Sequence, residues 1–579
     1  MNRNLLLSID LGTTACKAAV FEPGGRVLGE GYVEYPLVAR SEVEIEQDAG
    51  EWWDVTVRAV NLAFESAQVG RAGLCAGSHV ETGIWAGAGV SPDEVVALSV
   101  SSQGISVVPV DRHGEPLRMA ISWLDTRARD QGEWLERELG GSEKIFHATG
   151  KRPSAAYTLP KLLWFRDNEP DVFRAADKFL MPLDFIVKRL TGQAVTDHSM
   201  ASGTLMYDLH EGGWSGSVLD KCGISRAVLP EIRWAGSAIS KLMPKAAREL
   251  GLSPETLVVL GGQDQKCAAL GAGLAPGTAT ISLGTAGALT AYARRPVLDA
   301  GMRIPCCPHV EGKRWVLEGV VSTAGASVKW FASAVMEAFA ASGNVSSIDD
   351  LSKGCGVSNI GNIGNMGNVS STGDRDSFGK AGNIGDTIAA AGEDSSRTLS
   401  RLYQHLDELA SKSRAGSGGL FFLPHLAGAS TPHWNAGAKG LFHGISLATT
   451  AGDLFRSVLE GIAFEFKENL EIIESLVGPV NEVIIFGGGA RSPVWAGIFA
   501  NALNKPVLRL STSEAASLGA SILAGVGSGI YKTYAEGLTA VEGLRSRENP
   551  DPGLVAAYED VFRDYVETES AFLGLNGHS

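Results

Sequence analysis

A short pattern occurs twice in this chain, with the copies nearly half its length apart. Residues 9–14 read Ile-Asp-Leu-Gly-Thr-Thr, and residues 281–286 read Ile-Ser-Leu-Gly-Thr-Ala. Each copy follows a β-rich run and precedes another, KAAVF in the first case and ALTAY in the second. Shared strand–turn–strand context around both copies points to an internal duplication. The duplication favours two large α/β domains, which 579 residues accommodate.

The rest of the pattern alternates strands with helices, as an α/β fold requires. Short β-rich runs cover residues 5–9, 17–21, 95–100, 105–110 and 482–486. Residues 453–470 form a helix on their apolar spacing, with Leu454, Val458 and Ile462 four apart. Ser492 and Pro493 start another. The division expected is 1–256 for the first domain and 257–579 for the second. Within the latter, residues 354–395 are a glycine- and asparagine-rich run with few core-forming side chains, read as a mobile insert.

A tight Gly-Thr turn between two strands can aim successive backbone N–H groups and threonine hydroxyls into one concavity, a nest for phosphate oxygens. Two such turns, Gly12-Thr13-Thr14 and Gly284-Thr285, would hold a polyphosphate between the domains. Lys17, on the strand leaving the first turn, joins the phosphate candidates. Asp10 supplies a carboxylate where Mg²⁺ bridging phosphates could be held; the second copy has Ser282 there. Two ordinary glycine turns would show the same residues. In LVVLGGQDQK (257–266), a strand ends in Gly261-Gly262, with Asp264 and Gln265 at its mouth. A carboxylate there can take a proton from a substrate hydroxyl, or simply cap the next helix.

Other nucleotide signatures are missing. There is no G-x-x-x-x-G-K-[ST], and no G-x-G-x-x-G follows a strand with an acidic partner downstream. The balance of 50 Lys and Arg against 65 Asp and Glu, net −15, argues against a nucleic-acid-coating surface. No apolar stretch reaches about 18 residues, so no membrane span is expected. The N-terminal leucine run is too short for a signal peptide. Seven cysteines, without C-x-x-C, read as reduced thiols and a cytoplasmic chain. Cys306-Cys307-Pro308-His309 lacks a second pair at zinc spacing.

These features together resemble the FGGY carbohydrate kinases. Gly440-Leu-Phe-His-Gly444-Ile445 followed by Asp453-Leu-Phe-Arg-Ser457-Val-Leu-Glu460 is similar to the family's C-terminal signature. Tyr157-Thr-Leu-Pro-Lys161-Leu-Leu-Trp164-Phe-Arg-Asp167-Asn168 resembles its N-terminal one, with Ala156 departing at the first position. VEIEQDAGEWW (43–53), SWLDTRA (122–128), DFIVKRLTG (184–192) and LPHLAGASTPHWN (423–435) fall in family order. The resemblance implies a duplicated ribonuclease-H-like, actin/hexokinase-type ATPase fold with an interdomain cleft. It implies ATP and Mg²⁺ as cofactors, Asp264 as catalytic base, Asp10 as the Mg²⁺-holding aspartate, and the two Gly-Thr turns on phosphate. Gly488, Gly489 and Ala490 would lie against the adenosine, with Ser327 and Lys329 as weaker contacts.

The expected substrate is a small sugar or polyol, with a pentulose such as xylulose ahead of a glycerol- or erythritol-type polyol. A catalytically inactive sugar sensor is the other alternative. Gln103, Gly104, Trp123, Asp125, Tyr157, Asp264 and Gln265 are the substrate-side candidates. Gln103-Gly104-Ile105 stands where xylulokinases tend to show Gln-Met-His and glycerol kinases Gln-Arg-Glu, so two polar partners are absent here. Trp123 suits either a sugar face or a core position. No nucleic-acid or membrane partner is expected, and a homodimer is the commonest assembly.

Overall fold

The structure is a computed structural model and describes residues 4–69, 89–341, 395–512, 514–543 and 545–576. Residues 354–394 of the glycine–asparagine run lie outside the described residues.

The first half builds a six-stranded sheet from β1 (Leu5–Leu11), β2 (Ala15–Phe21), β3 (Val27–Glu34), β4 (Val95–Ser102), β5 (Ala238–Lys241) and β6 (Leu257–Gln263), in the order β5-β6-β4-β1-β2-β3. β1, β4 and β6 run parallel, and β2, β3 and β5 pair antiparallel with their neighbours. The second half repeats this plan in β7 (Thr278–Leu283), β8 (Gly287–Ala293), β9 (Cys306–Pro308), β10 (Trp315–Val321), β11 (Glu482–Phe486), β12 (Val507–Leu510) and β13 (Arg545–Glu548). Their order is β9-β10-β8-β7-β11-β12-β13, with β7, β11 and β12 parallel. Superposing the two orders sets β7 on β1 and β8 on β2, so the repeated motif occupies equivalent hairpins. The second sheet adds only the edge strand β9. β6 lies in the first sheet, which therefore extends past residue 256; the chain passes to the second sheet between Gln263 and Thr278.

β1 is apolar on both faces because both are covered. Leu5, Leu7 and Ile9 join one core with Trp52 and Val55 of α1 (Ala49–Val69) and with Phe185 and Ile186, whereas Leu6 joins another. Between β6 and β7 comes α2 (Asp264–Ala272), followed along the chain by α3 (Ala324–Ala341), α4 (Ala451–Val477), α5 (Pro493–Leu503), α6 (Ala515–Gly527) and α7 (Pro552–Asn576). The core containing Leu6 spans both halves. It takes Ala97 and Val259 from the first sheet, Ile484 and Leu508 from the second, Leu270 from α2 and Ile522 from α6. The outer core of the second sheet packs Ile281 and Leu283 with Phe455, Val458 and Ile462 of α4 and Phe499 of α5.

The two central helices touch through glycine. A Cβ on Gly519 of α6 would lie 1.9 Å from the Cys267 carbonyl oxygen of α2, and one on Gly271 of α2 would lie 2.0 Å from that of Ala515. Gly519→Ala must push the helices apart, and overpacking of this kind costs about 1–3 kcal/mol. We expect a lower apparent Tm by calorimetry; an unchanged Tm would show that the helices separate freely.

Two expected elements differ. The helix expected over 453–470 runs as Ala451–Val477, because Thr450 and Asp453 form a reciprocal capping box ahead of it. Of the run 105–110, only Val108–Val110 is strand. Ile105 sits at φ +59°, where Ser106 N–H donates to the Gly104 carbonyl at 2.9 Å and closes a tight turn. Ser492 and Pro493 start their helix as expected, the serine side chain accepting from Trp495 N–H.

Candidate active site

The two hairpin turns are held from behind in the same way. In the first, Gly12 N–H donates to Ala15 O at 2.9 Å, and the carbonyls of the turn are taken by first-half groups. Tyr35 Oη donates to Gly12 O, Gln47 Nε2 to Thr13 O at 2.8 Å and Tyr35 N–H to Thr14 O at 2.9 Å. In the second, Gly325 N–H donates to Gly284 O at 2.9 Å and Ala326 N–H to Thr285 O at 3.0 Å. With the carbonyls engaged, no bond to the amides of Thr13, Thr14 or Thr285 is made among the described residues. Such amides are the donors of an anion nest. A Cβ on Gly325 would lie 2.4 Å from Gly284 O, so only glycine lets α3 start this close to the turn.

The glycine run is adjacent. Gly488–Arg491 forms one 3₁₀ turn after Gly487, which has φ +91°. A Cβ on Gly489 would meet Leu283, the last residue of β7, at 2.8 Å and the Trp495 ring at 2.4 Å. Gly488, Gly489 and Ala490 are thus seated beside Gly284 and Thr285, on the second half.

Asp10 and Asp264 come together at the carboxyl ends of neighbouring parallel strands. Asp10 pairs in register with Ser101 of β4, and Ser101 with Gly262 of β6; Asp264 follows two residues later as the first residue of α2. Ser101 Oγ donates to Asp10 Oδ1 at 2.8 Å. Burial pushes the Asp10 carboxyl up to about 6, against the opposing pull of Ser101 and Lys17. Burial, and then the charge of Asp10, push Asp264 up to about 7, against the opposing Gln265 N–H and Lys266. Gln263 occupies the cap position of α2, while Asp264 Oδ1 accepts from Gln265 N–H at 2.7 Å. Gln265 reaches the other half, its Oε1 accepting from Ser282 Oγ at 3.3 Å. Ser282 is the counterpart of Asp10, so this bond ties the Asp264 helix to the second hairpin.

The remaining candidates divide by what holds them. Trp123 is exposed, and its Nε1 donates to Thr13 Oγ1 at 3.0 Å, which places it at the first turn rather than in the core. Gln103 is buried, with Nε2 donating to Tyr35 Oη at 3.2 Å and Gln47 Oε1 at 3.1 Å. It braces the residues that hold the first turn. Gly104 faces Gln263: a Cβ there would lie 3.2 Å from the Gln263 side chain. Asp125 is buried on Arg127, 2.8 Å away, and on Ile45 N–H. Lys17 pairs with Glu514 of the second half at 2.8 Å.

Tyr157 lies near a buried group that local sequence does not signal. There Lys266 Nζ donates to Glu318 Oε1 at 2.6 Å and Cys307 Sγ to Glu318 Oε2 at 3.4 Å, with Lys151 close by. Lys266 and Lys151 outweigh the cost of burial and hold the Glu318 carboxyl down at about 2. Lys266 and Glu318 flank Asp264 from opposite halves of the chain and were absent from the sequence candidates. Only their position beside the GGQDQ motif and on a strand of the second sheet, once folded, reveals them.

Comparison with known proteins decides the family. The N-terminal domain of the FGGY family of carbohydrate kinases matches residues 5–271, and its C-terminal domain matches residues 279–528. The chain belongs to the FGGY family of carbohydrate kinases. This FGGY kinase is an ATP-dependent phosphotransferase with an alcohol group as acceptor. It is 27% identical over 532 residues to a xylulose kinase of Bacillus subtilis (strain 168), spanning 92% of this chain and 90% of that protein. It is 25% identical over 573 residues to a gluconokinase of the same organism, spanning 99% and 95%. Its fold matches that of a ligand-bound xylulose kinase from Lactobacillus acidophilus with a TM-score of 0.78, at 22% identity and 99% coverage of both chains. Among the described residues, no helix of this FGGY kinase is long and apolar enough to cross a membrane.

Proposed function

We propose that this FGGY kinase transfers the γ-phosphoryl group of ATP to a hydroxyl of a pentulose of the xylulose type, with Asp264 as general base. The observation that carries the base assignment is the pair of raised carboxyls at the ends of β1 and β6, one of them poised near neutrality. A base is most effective with its pKa near working pH. Asp264 takes the proton of the attacking hydroxyl. The amides at Thr13, Thr14 and Thr285 face the phosphate oxygens, and the run 488–490 lies under the adenosine. Asp10 suits Mg²⁺: two buried carboxyls repelling each other mark a place where a cation lowers the energy of both. When bound, Mg²⁺·ATP supplies the phosphoryl donor and charge neutralisation at it. Trp123, beside Thr13, offers the sugar an apolar face. Gln103 and Asp125 act from behind by fixing the walls.

The pentulose assignment rests on the xylulose kinase relative and on the 423–435 segment, which resembles the xylulokinase pattern. Release of ADP, coupled to a spectrophotometric readout, tests it against pentuloses, hexuloses, gluconate, pentitols, glycerol and erythritol. A pentulose should show the highest kcat/KM. Preference for gluconate or a polyol would move the substrate class and leave the kinase intact. Sugar binding without ADP release would mean a sensor.

The raised Asp264 sets a pH dependence. The base must be ionised, so kcat/KM for the sugar should fall about tenfold per unit as pH drops below about 7 and level off above it. A profile flat down to about pH 5 would remove Asp264 from the base role.

A further inference from the structure

Outside this site, three carboxylates converge on two imidazoles. His425 Nε2 lies 2.7 Å from Glu569 Oε1 and 3.5 Å from Glu465 Oε1. His433 Nε2 lies 3.1 Å from Glu468 Oε2 and 3.2 Å from Glu569 Oε2. Glu465 and Glu468 come from α4, Glu569 from α7, and both histidines from the loop 423–435. His425, Glu465 and Glu569 are essentially inaccessible to solvent. An imidazole Nε2 carries one hydrogen at most. That of His433 faces two carboxylate oxygens at nearly equal distance, and among the described residues Glu569 Oε2 receives no hydrogen bond although it is buried. Leaving a charged buried acceptor unsatisfied is costly. The nearest additional cation, Arg303, acts on Glu468 but is bound to Asp299.

We propose that His433 Nε2, Glu468 Oε2 and Glu569 Oε2 form a three-ligand site for a first-row divalent cation of the zinc type, with its fourth position open to solvent. Bonds of about 2.0–2.1 Å around a tetrahedral ion separate ligand atoms by roughly 3.3 Å. The two separations at His433 are already close to that value. An imidazole with carboxylates suits zinc-type ions better than magnesium or calcium. The neighbouring groups do what outer partners of metal ligands do. His425 bonds the other oxygen of Glu569, and Tyr565 Oη donates to Glu465 Oε1 at 2.8 Å. The His433 and Glu468 side chains are 19% and 21% exposed, which provides the entry path. Ligands bind deprotonated, so uptake releases the His433 proton to solvent. The ion would fasten α7 to the 423–435 loop, which Thr431 Oγ1 joins to Val320 of β10.

The test is a Co(II) titration of the full-length, metal-free protein, followed by displacement with Zn(II). One equivalent of Co(II) should give the visible absorption of a four-coordinate ion, bleached by one equivalent of Zn(II), with proton release. His433→Ala and Glu468→Gln alter half-buried positions and should retain the circular dichroism of the parent. Each should weaken Co(II) binding by at least about 100-fold, the upper end of what outer partners alone cost. Absence of the band in the parent, or an equal band in both variants, would overturn the proposal.

Discussion

Asp264→Asn should lower kcat by about 10²–10⁴-fold, the usual worth of a positioned general base, while ATP binding persists. Asparagine has nearly the shape of aspartate and can still accept from Gln265 N–H, so the start of α2 should be preserved. What it cannot do is take the hydroxyl proton. The same substitution should raise Tm at about pH 8. The folded carboxyl is lifted to about 7 from an ordinary value near 4, so the folded chain holds that proton more tightly than the unfolded one. Stability is therefore lost as pH climbs from about 4 through about 7, and asparagine escapes the loss. Lower activity with a higher Tm separates a removed base from a damaged fold. Near-parental turnover would take the base role away from Asp264.

Glu460→Ala should be the most damaging substitution for stability. Glu460 is buried in α4 and accepts from Arg456 Nε at 2.7 Å, Tyr558 Oη at 2.7 Å, Ser417 Oγ at 2.7 Å and Gly416 N–H at 3.1 Å. Removing it leaves the Arg456 guanidinium buried, where its other partners are the Ala410 and Ser413 carbonyls and the Tyr558 hydroxyl. Breaking a buried pair on one side costs about 3–5 kcal/mol. Tyr558 lies on α7, so the loss should also loosen that helix. Hydrogen exchange should show reduced protection across 552–576. Parental exchange there, with a parental Tm, would show that the network contributes little.

This network also explains what the C-terminal signature does. Arg456 and Glu460 belong to it, and both serve the packing of α4 rather than the reacting groups. Lys161 of the N-terminal signature is similar: its ammonium donates to Ser122 O at 2.7 Å and Ala156 O at 2.6 Å, and burial pushes it down to about 7.

The duplicated architecture was legible because its turns demand particular residues. Glycine and threonine at a hairpin end, preceded by a doubly buried strand, leave a plain mark twice in the chain. Asp10 and Asp264 were legible for a related reason: a carboxylate closing an apolar strand is conspicuous in local sequence. The turn at Ile105 was not, because a run of β-branched residues reads as strand and nothing local reports a positive φ there. Nor could local sequence show that Gln103 is spent on Tyr35 and Gln47, or Asp125 on Arg127. Lys17 meets Glu514 from the opposite half, and Lys266 meets Glu318 across the sheets. Such partners are set by topology, which enters only when the chain is folded.

The most direct measurement is a crystal structure with Mg²⁺, a non-hydrolysable ATP analogue and a pentulose. The Gly12–Thr14 and Gly284–Thr285 amides should both donate to oxygens of one triphosphate, with a sugar hydroxyl beside Asp264. A nucleotide touching only one of the two turns, or a sugar bound away from that carboxylate, would contradict the account.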